Sequence, residues 1–255
     1  MSRFDRAHLE LLGVALRLRV APWVTNDTGR RIYVDPGDKR AWRMARGGGA
    51  LDRDAVAAWR RLVTWLEPDL VLDIGANYGE VLLAADYPGA SVHAFEPNPR
   101  VAPRLARSMR RLGTVHEVAV SSSDGTATLG MRRTSSGVSS LERRGGVSVE
   151  VATVRIDRLG LRGDRLLFKL DVEGHEPAAL AGMAGLLWST PHWVGLVEHV
   201  GVRDMGTFPR CYRIRRSDTG FEEIDPSALQ DEAPAGMTKD VVISSESLPS
   251  VSHRS

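Results

Sequence analysis

VLDIGANYGE, residues 71–80, is the stretch on which the fold turns. Val71, Leu72 and Ile74 make a short apolar run of strand type, Asp73 stands near its end, and Gly75 and Gly79 bracket a turn that leads into a helical pattern over 79–86. A glycine-rich turn from strand to helix lets a ligand approach the backbone and meet a helix N-terminus. Four more runs share the strand character: SVHAFEP (91–97), TVHEVAV (114–120), RLLFKLD (165–171) and HWVGLVE (192–198). Helical patterns over 99–111 and 177–187 lie between some of them. Strand and helix in alternation predict an α/β fold. Its sheet is parallel, helices cover both faces, and ligands bind beyond the carboxyl ends of the strands.

Upstream, a helix is expected over 52–66. Asp52 is its N-cap, Val56, Trp59, Leu62, Val63 and Leu66 share one face, and Pro68 ends it. RRIYVDP (30–36) reads as a short strand and GGGA (47–50) as a break. The start, MSRFDRAHLELLGVALRLRV, has charges on both sides of a short apolar segment and no small-residue cleavage site, so it reads as an amphipathic helix and not a signal peptide. Residues 121–150 are rich in Ser, Gly and Arg and read as a β-excursion with a mobile loop. LPSVSHRS, from Leu248 onward, reads as a disordered tail. The expected organisation is an extension over 1–50, one domain over 51–247 and a tail over 248–255, without internal repeats.

Bulk properties narrow the function classes. The chain has 255 residues, 42% hydrophobic and 26% charged, enough for one large α/β domain. A single cysteine, Cys211, excludes an internal disulfide framework and a cysteine zinc site, and makes a reducing compartment, the cytoplasm, the simplest home. No apolar run approaches the roughly 18 residues of a membrane span. Net charge is only +2 and the arginine pairs are scattered without interleaved aromatics, so nucleic acid is not an expected partner.

The glycine turn reads D-x-G-x-N-x-G, without the middle glycine that dinucleotide folds use at the pyrophosphate. An acid at the head of the turn suits a ligand with positive charge nearby. In FEPNP (95–99), Glu96 ends the next strand, where a carboxylate accepts both hydroxyls of an adenosine ribose. Together, Asp73 and Glu96 point to S-adenosylmethionine. The bland alternative is a strand terminus and a capping acid with no ligand.

VLDIGANYG, FEPNP, AVSSSDGTATL (119–129), FKLDVEGHEPAALAG (168–182) and LVEH (196–199), in that order and spacing, resemble the FkbM family of S-adenosylmethionine-dependent methyltransferases. The likeness covers roughly 51–200, with looser similarity in TGRRIYVDP and KDVVIS, and KLDVEGHE is its most specific element. The resemblance implies a class I, Rossmann-like fold with a seven-stranded, mostly parallel sheet, and O-methylation of sugars, glycolipids or secondary metabolites. By position it puts Asp73, Gly75, Ala76, Asn77 and Gly79 in the cofactor loop, and Glu96 and Pro97 at the ribose. Ser122 and Asp124 fall on the adenine side, although SSSDG carries one serine more than the family's commoner pattern.

FKLDVEGHEP (168–177) enters the core with Phe168 and Leu170, then presents Asp171, Glu173, His175 and Glu176. Buried charge is costly unless paired or used. In a doubly wound sheet this fourth strand lies beside the first, so its end overhangs the methyl donor. Asp171, Glu173 and His175 alternate and face one side of an extended chain. A hydroxyl attacking a methyl group must lose its proton, through a base or with a divalent metal. Two mechanisms follow: His175 as base oriented by a carboxylate such as Asp171, or magnesium held by Asp171, Glu198 and His199. Glu173 and Glu176 read equally well as a backbone-bonded acid and a helix-start charge. The expected activity is O-methylation of a hydroxyl on a saccharide or glycosylated metabolite, with a small molecule or oligosaccharide as acceptor and a homodimer left open. The alternatives are a non-sugar metabolite as acceptor, a silent nucleoside-binding module, and a dinucleotide-dependent oxidoreductase.

Overall fold

In the computed structural model, residues 22–132, 135–142, 147–198, 208–216, 218, 220–225 and 237–248 are described. The expected N-terminal helix, His199 and residues 249–255 of the expected tail lie outside them. Leu248 is buried, and its N–H donates to Tyr212 Oη at 3.2 Å.

β1 (Trp23–Thr25) and β2 (Arg31–Tyr33) form an antiparallel ribbon, followed by helices Lys39–Arg46 and Arg53–Leu66. Next come β3 (Leu70–Ile74), β4 (Ser91–Phe95), the helix Ala102–Met109 and β5 (Thr114–His116). β6 (Ala119–Val120), β7 (Gly125–Arg132), β8 (Ser135–Ser140) and β9 (Val147–Val154) make the β-excursion, a separate sheet of order β6-β9-β7-β8. The chain returns through β10 (Arg165–Leu170), helices Glu176–Gly182 and Ala184–Ser189, β11 (His192–Glu198), β12 (Arg210–Arg215), β13 (Phe221–Ile224) and β14 (Met237–Ser244).

The main sheet has the order β13-β12-β14-β11-β10-β3-β4-β5. The expected seven mostly parallel strands are therefore corrected to eight in a mixed sheet. β11, β10, β3, β4 and β5 run parallel, whereas β14 is antiparallel to β11 and β12, and β13 is antiparallel to β12. The additional strand is β13, which pairs antiparallel with β12 at the edge of the sheet. β10 does lie between β3 and β11, as the strand pattern requires.

Helices cover both faces. On one, Val71, Leu167, Val194 and Val242 pack with Trp59 and Leu62 of Arg53–Leu66 and with Val24, Ile32 and Met44, so residues 22–50 share the domain's core. On the other, Leu72, Ile74, Phe168 and Leu170 pack with Ala179, Leu180 and Leu186. Asp52 caps Arg53–Leu66 as expected, accepting the N–H groups of Asp54 and Ala55 at 3.0 Å.

Three expected elements differ. The helix over 79–86 is only a 3-10 turn at Leu82–Ala84, because side chains from elsewhere take its carbonyls. Asn26 Nδ2 and Arg30 Nη1 donate to Leu83 O, and Arg60 Nε donates to Ala84 O. The strand over 114–120 splits, β5 staying in the main sheet and β6 pairing with β9. The helix over 177–187 breaks at Met183 into two. Among the described residues, no helix is long and apolar enough to cross a membrane.

Candidate active site

The two signature strands meet at Gly75. Asp171 N–H donates to Ile74 O at 3.0 Å, and a Cβ on Gly75 would stand 1.9 Å from Asp171 O. Gly75 also has φ +79°, in the left-handed region. Only glycine lets these strand ends cross so closely. The N–H groups of Gly75 and Ala76 both donate to Phe95 O, tying the turn to the end of β4. Asn77, at φ +49°, then aims its N–H at Glu96 Oε2 at 2.8 Å, while Asn98 N–H donates to Oε1 at 2.9 Å. Glu96 is buried. Burial pushes its carboxyl up to about 7, against the two N–H bonds that favour the charged form.

A cavity opens beside this turn. Gly75, Asn77, Glu96 and Pro97 form one wall, and Asp171, Glu173 and His175 form another. β8 roofs it. Ser136 N–H donates to Asp38 Oδ2 at 3.1 Å, Ser136 Oγ to Asn77 Oδ1 at 3.1 Å, Asn98 Nδ2 to Ser139 Oγ at 3.2 Å and Ser140 Oγ to Glu173 O at 2.7 Å. Asp38 itself caps Lys39–Arg46 and accepts the Tyr78 hydroxyl at 2.9 Å. Arg40, on that helix, also lines the cavity.

Charge gathers near the ends of four adjacent strands, at two levels of the register. Lys169 is opposite Asp73, and Glu198 is opposite Asp240. Asp171, two residues after Lys169, accepts from Lys169 Nζ at 2.8 Å. Burial pushes the Asp171 carboxyl up, but the Lys169 ammonium and a hydrogen bond from Glu198 outweigh it and hold it well below the usual carboxylate range. Burial and the Asp171 charge raise Glu198, so Glu198 keeps the proton that the pair shares. Burial also raises Asp73 to about 6 and Asp240 to about 7. Ligand oxygens of Asp171, Glu173 and Glu198 lie within 4.8 Å of one another. Of the expected metal ligands, Asp171 and Glu198 come together and Glu173 joins them.

His175 differs from expectation in its partners. Its Nδ1 is 2.7 Å from Glu142 Oε1 and its Nε2 is 3.0 Å from Ser121 Oγ, so Glu142 takes the orienting place expected of Asp171, which is engaged with Lys169 and Glu198. Glu176 is almost fully buried and accepts the N–H groups of Val172 and Gly174, closing the 172–176 loop as a backbone-bonded acid. Gly79 has φ +78°, and a Cβ there would meet Leu105 Cδ1 at 2.7 Å. Ser122 and Asp124 are exposed and outside the cavity wall. Ser122 O accepts from Arg155 Nη1 and Asp124 Oδ1 from Arg155 N–H, both at 2.7 Å. Within SSSDG it is Ser121, and not Ser122 or Asp124, that reaches the cavity side, through His175. Asp38, Arg40, Ser136, Glu142 and Asp240 were not found by sequence reading; each reaches the site only through tertiary packing, and Asp240 alone had a local signal, in KDVVIS.

Comparison with known proteins places this geometry in a family. The model of the methyltransferase FkbM domain matches residues 73–210, just over half of the chain and the span from Asp73 to the start of β12. No curated protein matches. Among solved structures, the precorrin-6y C5,15-methyltransferase of Geobacter metallireducens is similar at 12% identity, over 76% of this chain and 88% of that one, with a TM-score of 0.38. The magnesium protoporphyrin IX methyltransferase of Synechocystis is similar at 13% identity, over 80% and 88% of the two chains, with a TM-score of 0.38. The assignment rests on the domain match and not on these distant likenesses: the chain belongs to the FkbM methyltransferase family.

Proposed function

We propose that the protein is an S-adenosylmethionine-dependent O-methyltransferase whose acceptor is a hydroxyl of a saccharide or glycosylated metabolite. The observation that carries this is the carboxylate of Glu96, fixed by two backbone N–H groups beside a glycine turn that crosses the carboxylate end of β10. These residues fit the cofactor. Glu96 keeps lone pairs for the two ribose hydroxyls, Gly75 and Asn77 leave the turn open on the cavity side, and the acids of β10 and β11 favour a sulfonium. When bound, S-adenosylmethionine supplies an electrophilic methyl group whose bond to sulfur breaks as the acceptor oxygen bonds to carbon.

The chain's own part is to place that oxygen in line and to take its proton. Both ring nitrogens of His175 are engaged by Glu142 and Ser121, which favours His175 as a positioning residue and leaves Asp171, on the cavity wall, as the carboxylate that faces the acceptor. A second reading has magnesium on Asp171, Glu173 and Glu198, favoured by their convergence and orienting a sugar diol.

Calorimetry tests the core of this reading. The parent should bind S-adenosylhomocysteine and ignore NAD, and the reverse result would sink it. Glu96→Ala should weaken that binding by about 1.5–3 kcal/mol, the worth of hydrogen bonds to a charged acceptor. Turnover of a labelled methyl donor against a panel of sugars tests the acceptor class. Exhaustive chelation decides the metal, since full residual activity eliminates it and restoration by magnesium alone establishes it.

A further inference from the structure

We propose that the outer face formed by β1, β2 and the helix Ala102–Met109 docks the protein on an anionic phospholipid bilayer. The proposal stands apart from the cofactor reading, since none of its residues lines the cavity. From Pro97 to His116 the chain has five arginines and no acid. Four of them, Arg100, Arg104, Arg107 and Arg111, are spaced by four, three and four residues. That spacing sets them along one side of the helix and its end turns, away from the buried Ala102, Leu105 and Met109. β2 runs beside this stripe, Tyr33 N–H donating to Ser108 Oγ at 2.8 Å. Val24 and Ile32 of the ribbon belong to the core, so Trp23, Arg31 and Tyr33 share its outer side. The stripe also borders the site: Arg100 N–H donates to Asn98 Oδ1 at 3.0 Å, and Asn98 holds the roof at Ser139.

Arg31 Cζ lies 4.8 Å from the Trp23 ring centroid and Arg107 Cζ lies 4.0 Å from that of Tyr33, while the two rings meet edge to face at 6.1 Å. Cation, ring, ring and cation thus run from the ribbon onto the helix, an interleaving that the sequence scatters. A guanidinium laid on a ring keeps its N–H edge free for phosphate and is already ordered. Among the described residues, Arg31, Arg107 and Arg111 are exposed and have no carboxylate partner, whereas Arg100 is paired with Asp35 at 2.6 Å. Unbalanced positive charge with Trp and Tyr set into it suits a membrane interface, where anionic head groups meet the cations and amphipathic rings sit at head-group level. Single-stranded nucleic acid asks instead for a ring face on which a base can stack, and here each ring carries a guanidinium. The chain reaches the ribbon from LELLGVALRLRV (9–20), an apolar run with Arg17 and Arg19 near its end. Its composition supplies the second, apolar signal that stable attachment to a bilayer needs.

Flotation of the full chain with vesicles tests this, using phosphatidylcholine alone or in equal parts with phosphatidylglycerol. The parent should partition onto the mixed vesicles at least roughly 10-fold more strongly than onto the neutral ones. Equal partition onto both, or onto neither, overturns the proposal. Arg31→Gln, Arg107→Gln and Arg111→Gln together should lower partition onto the mixed vesicles roughly 100-fold, about 5-fold for each arginine near the surface. Arg→Lys changes at the same three positions keep the charge and should stay within about 3-fold of the parent. A triple Arg→Gln variant that partitions like the parent would show that other residues hold the bilayer, and would overturn the assignment of this face. Should that variant fail to melt cooperatively, Arg111→Gln, which stacks on neither ring, should still lower partition about 5-fold, and no change would count against the face in the same way. Retention of poly-uridine RNA without binding to vesicles, lost in the triple variant, would assign the face to nucleic acid and overturn the bilayer as its occupant.

Discussion

A methyl group added at position 75 would have nowhere to go, because the atom it meets is backbone of another strand, Asp171 O, which cannot swing aside. Gly75→Ala should cost about 2–4 kcal/mol through strain at φ +79° and forced separation of β3 from β10. Gly89 is the control. It has the same φ of +79°, but nothing lies within 4 Å of the added carbon, so Gly89→Ala should cost only about 1 kcal/mol. Thermal unfolding of the two variants measures the difference, and equal midpoints would show that the crossing is not what demands glycine at 75. His175 makes a second residue-scale case. His175→Ala should slow turnover by disturbing the 172–176 loop while leaving affinity for S-adenosylhomocysteine within about 2-fold, since its partners are Glu142 and Ser121 and not the cofactor turn. Wild-type turnover would remove His175 from the site altogether. Asp73, Glu96 and Asp171 stand out in the sequence because an acid at the end of an apolar strand is a local anomaly, and the structure brings their strand ends together. Arg40 does not, since an arginine in the first turn of a short helix looks like any solvated arginine until Glu80 is found beside it.

β8 shows what an element contributes beyond its residues. Its hydrogen bonds reach the cofactor turn at Asn77, the N-terminal extension at Asp38 and the second signature at Glu173, so the roof is fastened to three separate walls. Binding of S-adenosylhomocysteine should therefore slow amide hydrogen exchange across Ser135–Ser140 by at least roughly 10-fold relative to the free protein, as a ligand held beneath it adds contacts to every wall. Exchange that is unchanged at saturating ligand would mean that β8 takes no part in closure. Where the roof attaches was not legible in the residues of β8, although composition alone marked 121–150 as a β-excursion. Elements set by local chemistry were legible, as with Asp52 capping Arg53–Leu66 and the alternation of apolar strands. The expected helix over 79–86 was not, because Asn26, Arg30 and Arg60 compete for Leu83 O and Ala84 O from positions more than 20 residues away.

At the scale of the molecule, the buried acids set a pH dependence of stability. Burial raises Asp73 to about 6 and Glu96 and Asp240 to about 7, all above the ordinary carboxylate values they regain on unfolding. The folded state then holds more protons than the unfolded state between about pH 4 and 7, so the contribution is full below that window and is lost as pH rises through it. The ligand-free protein should lose on the order of 1 kcal/mol per pH unit for each group that titrates there, which urea unfolding at pH 5, 6, 7 and 8 would measure. Stability that rises over this range would mean that these carboxyls are already ionised in the fold. Removing residues 1–50 should prevent folding, because Val24, Ile32 and Met44 belong to the same core as Trp59 and Leu62; a cooperative melt of the remainder would contradict this. The position of β14 between β11 and β12 bears on the time order of assembly. On a chain made from its N-terminus, β12 and β13 emerge before the strand that joins them to the sheet exists, and Glu198 waits for Asp240 until both have been made. From the emergence of β11 until β14 follows, the nascent protein thus carries an unpaired β11 edge, and Glu198 stands without the carboxylate that will face it.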